Sequence, residues 1–181
     1  MKARVSLIVP VLNGIAHTRG LLDSLARTTE AFELVVIDNG SSDGTREMFR
    51  AFPYPYPLSV IENDDDVSLI ASVNRAWPAA RTDVICFLHN DTEMLDPAWL
   101  GKLVAGFDDP SVGMTGLYGA KRLRKDGRFV GRTIVHSLAE GPTVQPPGED
   151  VAGIDAVCMC LRRPFIEEIG GLDEGYRFYH G

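Results

Sequence analysis

The sequence predicts an α/β fold in which strands and helices alternate around a mostly parallel sheet. Short apolar runs rich in β-branched residues occur near 5–12, 32–38, 58–61 and 84–88. Patterns with helical spacing separate these runs, which is typical of βαβ units joined by right-handed crossovers. Since an open parallel sheet binds ligands at the carboxyl ends of its strands, the polar residues that follow each run are the first candidates for a functional site.

The first strand is predicted over Val5–Leu12, with Pro10 ending its ladder pairing because proline has no N–H to donate. Asn13-Gly14 then turns the chain. A helix is predicted from about 17 to 29, with leucines on one face for the core. The next strand, over 32–38, ends in Asp38.

A loop rich in Gly, Ser and Asp follows from 39 to 45, and it leads into a short helix. After the strand at 58–61, a helix is predicted from about Leu69 to Trp77, where Pro78 stops it. Asp64, Asp65 and Asp66 precede this helix, and such a run is a metal-like cluster or, more often, a solvated helix start.

The strand Val84–Leu88 ends abruptly at His89-Asn90-Asp91, which reads as a buried strand that delivers ligands or as a turn that caps the next helix. That helix is expected over 98–107, with a strand over 112–118 after it.

The second half predicts a hairpin over 121–135 that turns at Lys125-Asp126-Gly127. Residues 137–150 are rich in Pro and Gly, so a mobile loop over the active edge is expected there. A single strand over 151–161 and a helix over 164–169 complete the prediction.

Composition fits one soluble domain, since 45% of the 181 residues are hydrophobic and 24% are charged. The net charge of −7 argues against a nucleic-acid binder. The basic run Lys121–Lys125 is a solvated hairpin or meets phosphate or anionic lipid. Cys86, Cys158 and Cys160 lie in apolar runs without zinc spacing, so buried reduced thiols and a cytoplasmic setting are expected.

Several nucleotide-binding motifs are absent. The first strand is followed only by Gly14 rather than by G-x-G-x-x-G, and no Walker-type loop occurs. Without these motifs, a ligand that contains a pyrophosphate is expected to bind through a divalent cation, which a few protein carboxylates can hold. Asp91 is placed to hold such a cation, and Asp38 is placed to accept hydrogen bonds from a base or ribose.

Four segments together resemble the family 2 glycosyltransferases. They are VSLIVPVLN at 5–13, LVVIDNGSSDGT at 34–45, FLHNDTE at 87–93 and GGLDE at 170–174, and they span nearly the whole chain in the family's order. The resemblance implies the GT-A fold, a Rossmann-like sheet with helices on both faces and a smaller acceptor-side hairpin and strand region. It also implies inverting transfer from a nucleoside diphosphate sugar to a glycan or lipid-linked acceptor, with Mg²⁺ or Mn²⁺ as cofactor.

The resemblance further implies roles for individual residues. The family's DxD motif falls on His89-Asn90-Asp91, of which only Asp91 remains to bind metal, while His89, also a candidate structural residue, and Asn90 would touch ribose or sugar. Asp155 would lie on the acceptor side. The residues expected at the nucleotide are Pro10, Val11, Asn13, Asp38, Asn39, Asn63 and Asn74.

In the family the catalytic base lies in an acidic motif just beyond the segment that matches 170–174. Here the chain ends at Gly181, so a single domain truncated at its C-terminus is expected, with a nucleotide-sugar half over 1–118 and an acceptor half over 119–181. Asp173 and Glu174 are fallback candidates for the base. Peripheral association with the inner face of a membrane would involve regions outside the chain.

Two other functions stay open at this point. The chain can hold a nucleotide sugar without transferring the sugar, because the base is missing. Alternatively, it is an unrelated α/β scaffold in which Asp38 and Asp91 only cap helices and turns.

Overall fold

The computed structural model describes residues 3–51, 53–63, 67–117, 119–132 and 148–175. The predicted acidic triplet at 64–66 and most of the predicted loop at 137–150 lie outside these residues. The strands are β1 Val5–Val11, β2 Phe32–Asp38, β3 Leu58–Glu62, β4 Val84–Leu88, β5 Met114–Gly116, β6 Gly119–Leu123, β7 Phe129–Arg132, β8 Gly153–Ile154 and β9 Cys158–Arg162. The helices are α1 Ile15–Leu25, α2 Thr45–Ala51, α3 Leu69–Ala76, α4 Trp99–Ala105 and α5 Arg163–Ile169.

The strands form two sheets. The central sheet has six strands in the order β3-β2-β1-β4-β9-β5, and a second sheet has the order β7-β6-β8. Strands β3, β2, β1 and β4 are parallel to their neighbours, whereas β9 is antiparallel to both β4 and β5. The predicted α/β architecture, with a mostly parallel sheet and a smaller hairpin and strand region, is therefore confirmed.

Helices cover both faces of the central sheet because successive strand residues point to opposite sides. One core layer joins alternate residues of β1, β2 and β4 to apolar residues of α1, α2 and α4. The other layer joins the remaining strand residues to α3 and α5, with Ile8, Ile37, Ile85 and Ile166 fully buried. The strands buried on both faces explain the continuous apolar runs in the sequence.

The prediction of a single strand over 151–161 is wrong, because this segment forms two strands. The chain forms β8 in the small sheet and β9 in the central sheet, where β9 lies between β4 and β5. Between them the Asp155 carboxylate accepts a hydrogen bond from Val157 N at 2.9 Å, which closes a turn. Apart from Asp155 the segment is apolar or glycine throughout, so the sequence pattern alone does not reveal the change of sheet.

Pro10 does not end the pairing of β1. Pairing with β2 continues through Pro10 to Val11, opposite Asp38, while pairing with β4 ends at Ile8. The helix predicted at 17–29 also begins earlier, at Ile15, because Asn13 and Gly14 both have positive φ, at 58° and 76°, and turn the chain directly into it.

The three cysteines are free and buried, as predicted. Cys86 Sγ and Cys158 Sγ are 3.9 Å apart on adjacent strands. Burial raises the pKa of the Cys86 thiol well above its ordinary value, which keeps this thiol protonated. In the part of the chain that is described, no helix has the length and apolar character needed to cross a bilayer.

Candidate functional site

The carboxyl ends of β1 and β2 lie side by side, with Val11 opposite Asp38. Beyond this pair, Asn39 N donates to Val11 O at 2.8 Å. Asn63 N, just after β3, donates to Asp38 O at the same distance. These backbone bonds bring three consecutive strand ends to one edge of the sheet, where the sequence predicted the site.

Asp38 is fully buried, and both of its carboxylate oxygens are hydrogen-bonded within the protein. Its Oδ1 accepts from Ser41 N at 3.1 Å, and its Oδ2 accepts from Arg46 Nε at 2.7 Å. Arg46 Nη2 also donates to Asn63 O at 2.9 Å. A buried carboxylate is costly unless it is paired, and here an arginine of α2 supplies the partner.

Sequence reasoning missed Arg46. The available signal was that a carboxylate at the end of a buried strand needs a partner, and that the short helix after the 39–45 loop carries a cation. Because Asp38 is fully buried, direct contact with a base, as the family resemblance implies, would require the groups that cover the carboxylate to move.

The loop after β2 is tied to the turn after β1. Asn13 N donates to Ser41 Oγ at 2.8 Å, and Asn13 Oδ1 accepts from Ser42 N at 2.9 Å. Asn13 is the one non-glycine residue with positive φ among the residues described, so an ordinary side chain would be strained there. The two loops therefore form one wall of the site.

Asp43 connects this wall to α1. Its Oδ2 accepts from Ile15 N at 2.9 Å, which satisfies an orphan N–H at the helix start, while its Oδ1 accepts from the Thr45 hydroxyl at 2.5 Å and from Thr45 N. Hydrogen bonds from the Thr45 hydroxyl and from the Ile15 backbone lower the pKa of Asp43 below its ordinary value.

Asn39, Asn63 and Ser72 form a polar cluster behind the loop. Asn39 is almost fully buried, and its Oδ1 accepts from Asn63 Nδ2 and from Ser72 Oγ, each at 2.8 Å. These two donors fix the orientation of the Asn39 amide, whose oxygen thus faces Ser72 on α3. Of the predicted nucleotide residues, Asn39 and Asn63 are thereby brought directly together.

The end of β4 lies beside the start of α1. Asn90 Nδ2 donates to Thr18 Oγ1 at 3.0 Å, and a Cβ at Gly14 would lie 3.6 Å from the same Nδ2. His89 N donates to Val157 O at 3.1 Å, which joins this turn to the segment before β9. The side chain of Asp91 is exposed. No group of three or more His, Cys, Asp or Glu residues suited to metal binding occurs among the described residues.

Asn74 makes its hydrogen bonds away from the polar cluster of Asn39, Asn63 and Ser72. Its Nδ2 donates to Leu172 O at 2.8 Å and its Oδ1 accepts from Leu172 N at 2.9 Å, so the amide pairs with the backbone of the turn after α5. Asn74 Nδ2 also donates to Glu174 Oε1 at 3.0 Å. Gly171, with φ of 95°, lets the turn approach, since a Cβ there would lie only 2.7 Å from Asn74 Oδ1.

The remaining predicted residues take part in local turns. Asp155 accepts from Val157 N, and Asp173 Oδ1 accepts from Gly175 N at 2.8 Å. Both Asp173 and Glu174 are exposed. Their contacts do not distinguish either carboxylate as a catalytic base.

Comparison with known families identifies the chain. The model of the family described as Glycosyl transferase family 2 matches residues 6–170, which is most of the chain. This chain belongs to glycosyl transferase family 2. The resemblance noted in the four sequence segments is thereby confirmed.

Relatives of known sequence agree with this assignment. The O-antigen biosynthesis protein RfbC of Myxococcus xanthus is 30% identical over 190 residues, a match that covers 96% of this chain and 15% of that protein. A PGL/p-HBAD biosynthesis glycosyltransferase of Mycobacterium bovis is 34% identical over 110 residues, covering 59% of this chain and 43% of the relative. The matched regions therefore cover less than half of each relative's own length, 15% of the first and 43% of the second.

Solved structures share the fold. The mannosyltransferase PcManGT from Pyrobaculum calidifontis, in complex with GDP-Man and Mn²⁺, superposes with a TM-score of 0.67 at 19% identity and covers 96% of this chain and 48% of that one. S. aureus TarS 1-349 in complex with UDP-GlcNAc gives a TM-score of 0.56 at 23% identity, covering 72% of this chain and 37% of that fragment. At 19% and 23% sequence identity, this structural similarity shows that the family 2 chain has the GT-A fold.

The Asp43 carboxylate should stabilise the fold in a pH-dependent way. Because its folded pKa is lowered, its contribution is present above the unfolded value near ~3.9 and is lost as the pH falls through the folded pKa. Asp43→Asn should therefore be less stable than the parent at pH ~7, and the difference should shrink toward pH ~3. Urea unfolding at both pH values measures the difference in unfolding free energy between variant and parent. Glu47→Gln, another exposed acid-to-amide change in this region, is the control, and a difference for Asp43→Asn that stays constant with pH contradicts the account.

The two hydrogen bonds between the Asn74 amide and the Leu172 backbone, called the Asn74 clasp below, should be detectable in a double-mutant cycle of unfolding free energies. Asn74→Ala removes two hydrogen bonds to the Leu172 backbone and should cost about 1–3 kcal/mol in urea unfolding. Gly171→Ala should cost more than Gly170→Ala, because both glycines have positive φ but only the Gly171 site is crowded by Asn74.

The double variant Asn74→Ala/Gly171→Ala should be more stable than the sum of its single effects implies, since truncating Asn74 relieves the clash with Oδ1. Equal effects at Gly170 and Gly171, or strict additivity in the double variant, would show that the clasp is not formed.

Proposed function

We propose that this chain is the nucleotide-sugar-binding domain of a metal-dependent, inverting glycosyltransferase. The enzyme transfers a sugar from a nucleoside diphosphate sugar to a hydroxyl of a glycan or lipid-linked acceptor. The observation that carries the proposal is the junction of the β1, β2 and β4 ends, where Asn13, the 39–45 loop and Asn90 meet at the carboxyl edge of a family 2 sheet. An edge of this kind is where α/β sheets bind their ligands.

The comparisons support the donor class. PcManGT was solved with GDP-Man and Mn²⁺, and TarS was solved with UDP-GlcNAc, so both nucleotide types occur among neighbours with this fold. RfbC is named for O-antigen biosynthesis, which supports a polysaccharide product. The free thiols of the core suit a reducing, cytoplasmic setting for the reaction.

The nucleotide is proposed to lie along the wall built by the turn after β1 and the loop after β2. Pro10, Val11 and Asn13 line one side of it, and Asn39 with Asn63 lies behind the base or ribose. Asp38 fixes Ser41 and Arg46, and it is proposed to accept a hydrogen bond from the base once the groups that bury it move. Asn74 contributes indirectly, by holding the 172–174 turn.

The end of β4 supplies few protein ligands for a divalent cation. Asp91 offers one exposed carboxylate there, next to His89 and Asn90, which are proposed to face ribose or sugar. One carboxylate suits Mg²⁺ or Mn²⁺ when the donor's phosphates supply further ligands. Such an ion, when bound, would stabilise the negative charge of the departing diphosphate.

The transfer itself is a displacement at the anomeric carbon. The acceptor oxygen forms the new bond to that carbon while the bond to the diphosphate oxygen breaks, and a carboxylate takes the hydroxyl proton. Inversion places this base on the face opposite the leaving group. Asp155 is proposed as an acceptor contact, whereas Asp173 and Glu174 remain weak candidates for the base because local turn bonds engage them.

A second candidate function is donor binding without transfer by these 181 residues. The engagement of Asp173 by Gly175 N and of Glu174 by Asn74 favours it, since neither carboxylate is directed by its contacts toward the donor edge. Incubation with candidate nucleotide sugars and a glycan acceptor, followed by quantification of the glycosylated acceptor, separates the two. Measurable sugar transfer by the 181-residue chain would refute the binding-only alternative, and its loss in Asp173→Asn or Glu174→Gln would identify the base.

Donor binding is tested by calorimetric titration with UDP, GDP and dTDP, each with and without Mn²⁺. At least one nucleotide should bind, and Asp91→Asn should weaken binding about tenfold or more in Mn²⁺ with little effect in its absence. Asp108→Asn, which removes an exposed carboxylate just before β5, should leave binding unchanged. Failure of all three nucleotides to bind, or equal effects of both substitutions, would overturn the proposal.

A further inference from the structure

The hairpin formed by β6 and β7 concentrates the positive charge of the chain. Residues 119–132 hold six of the chain's 18 basic residues and one of its 25 acidic residues, so this segment carries +5 while the remainder carries −12. The donor-binding edge described above uses none of these cations. A hairpin this basic on an otherwise acidic chain indicates a binding partner of negative charge.

The hairpin cations whose side chains the structure describes are only lightly neutralised by the protein. Lys121 Nζ lies 3.0 Å from Glu149, and Arg124 and Arg128 lie 3.9 and 3.8 Å from Asp126, which they share. Among the residues described, Arg122 and Lys125 have no carboxylate within salt-bridge distance, and both are exposed. The side chains of Arg124 and Arg128 are 63% and 77% exposed, so their charge is available to a partner.

One exposed apolar side chain belongs to the same hairpin. Leu123 is 48% exposed, and it is one of four large apolar residues described as exposed. It ends β6, just before the turn that Gly127 closes with φ of 79°, and alternation along the strand places it on the same face as Lys121. A short hairpin that carries several cations and an exposed leucine matches an interface that presents both anionic headgroups and an apolar layer.

We propose that the 119–132 hairpin docks this chain on an anionic phospholipid surface. A bilayer presents a dense layer of anionic headgroups to the cations of one short hairpin. Repulsion from acidic groups beyond the Debye length of about 8 Å is largely screened at physiological salt. An extended nucleic acid fits less well, because it must neutralise many phosphates along a track and would meet the acidic body. The proposal goes beyond the transfer reaction, and nothing in it depends on donor binding.

Vesicle sedimentation tests the proposal with the full 181-residue chain. Phosphatidylcholine vesicles are compared with vesicles in which about a third of the lipid is phosphatidylglycerol. The parent should partition to the anionic vesicles only, and Arg122→Gln/Lys125→Gln should partition roughly 25-fold more weakly, since each cation near an anionic surface contributes about fivefold. Binding should also fall steeply between low and high salt.

Arg27→Gln/Arg81→Gln is the matched control, because it removes two exposed cations and changes the net charge equally at positions outside the hairpin. It should retain parental binding, and Leu123→Ser should weaken binding with no change in net charge. No preference of the parent for anionic vesicles, equal loss in the control variant, or binding to single-stranded DNA in place of vesicles would each overturn the proposal.

Discussion

The pairing of β1 with β2 in the register that places Val11 opposite Asp38 is the constraint on which the site depends. It buries the Asp38 carboxylate, and a buried carboxylate is costly unless it is paired and hydrogen-bonded. The Ser41 backbone and the Arg46 guanidinium provide those bonds, and Arg46 continues to the carbonyl of Asn63 after β3. One carboxylate therefore fixes the loop, the helix and the neighbouring strand end together, which gives the edge a defined shape before any ligand arrives.

Much of this arrangement follows from sequence. The apolar runs of β1, β2 and β4 predict buried parallel strands, and parallel pairing then predicts that Asn13, Asp38 and Asn90 gather at one edge. The division of the 151–161 segment into β8 and β9 does not follow, because a largely apolar run does not reveal which sheet each part joins. For Asp38 the sequence indicated that a partner was needed, but no spacing rule selects the cation eight residues later on the next helix.

The Asn74 clasp shows a second limit of sequence reasoning. The GGLDE segment is recognisable as a motif, but its sequence does not reveal that an amide from α3, almost a hundred residues earlier, pairs with its backbone. The contact explains why Gly171 lacks a side chain, in terms of both φ and space. It also connects α3, whose Ser72 bonds Asn39, to the turn that follows β9 and α5.

The central claim is that the junction of the β1, β2 and β4 ends holds a nucleoside diphosphate with its cation. Amide NMR spectra of the chain, titrated with a binding nucleoside diphosphate and Mg²⁺ and then with trace Mn²⁺, test it most directly. The account predicts shifts confined to 11–14, 38–46, 63 and 89–91, with paramagnetic broadening centred on Asp91. Broadening centred elsewhere, or shifts confined to the basic hairpin, would contradict it.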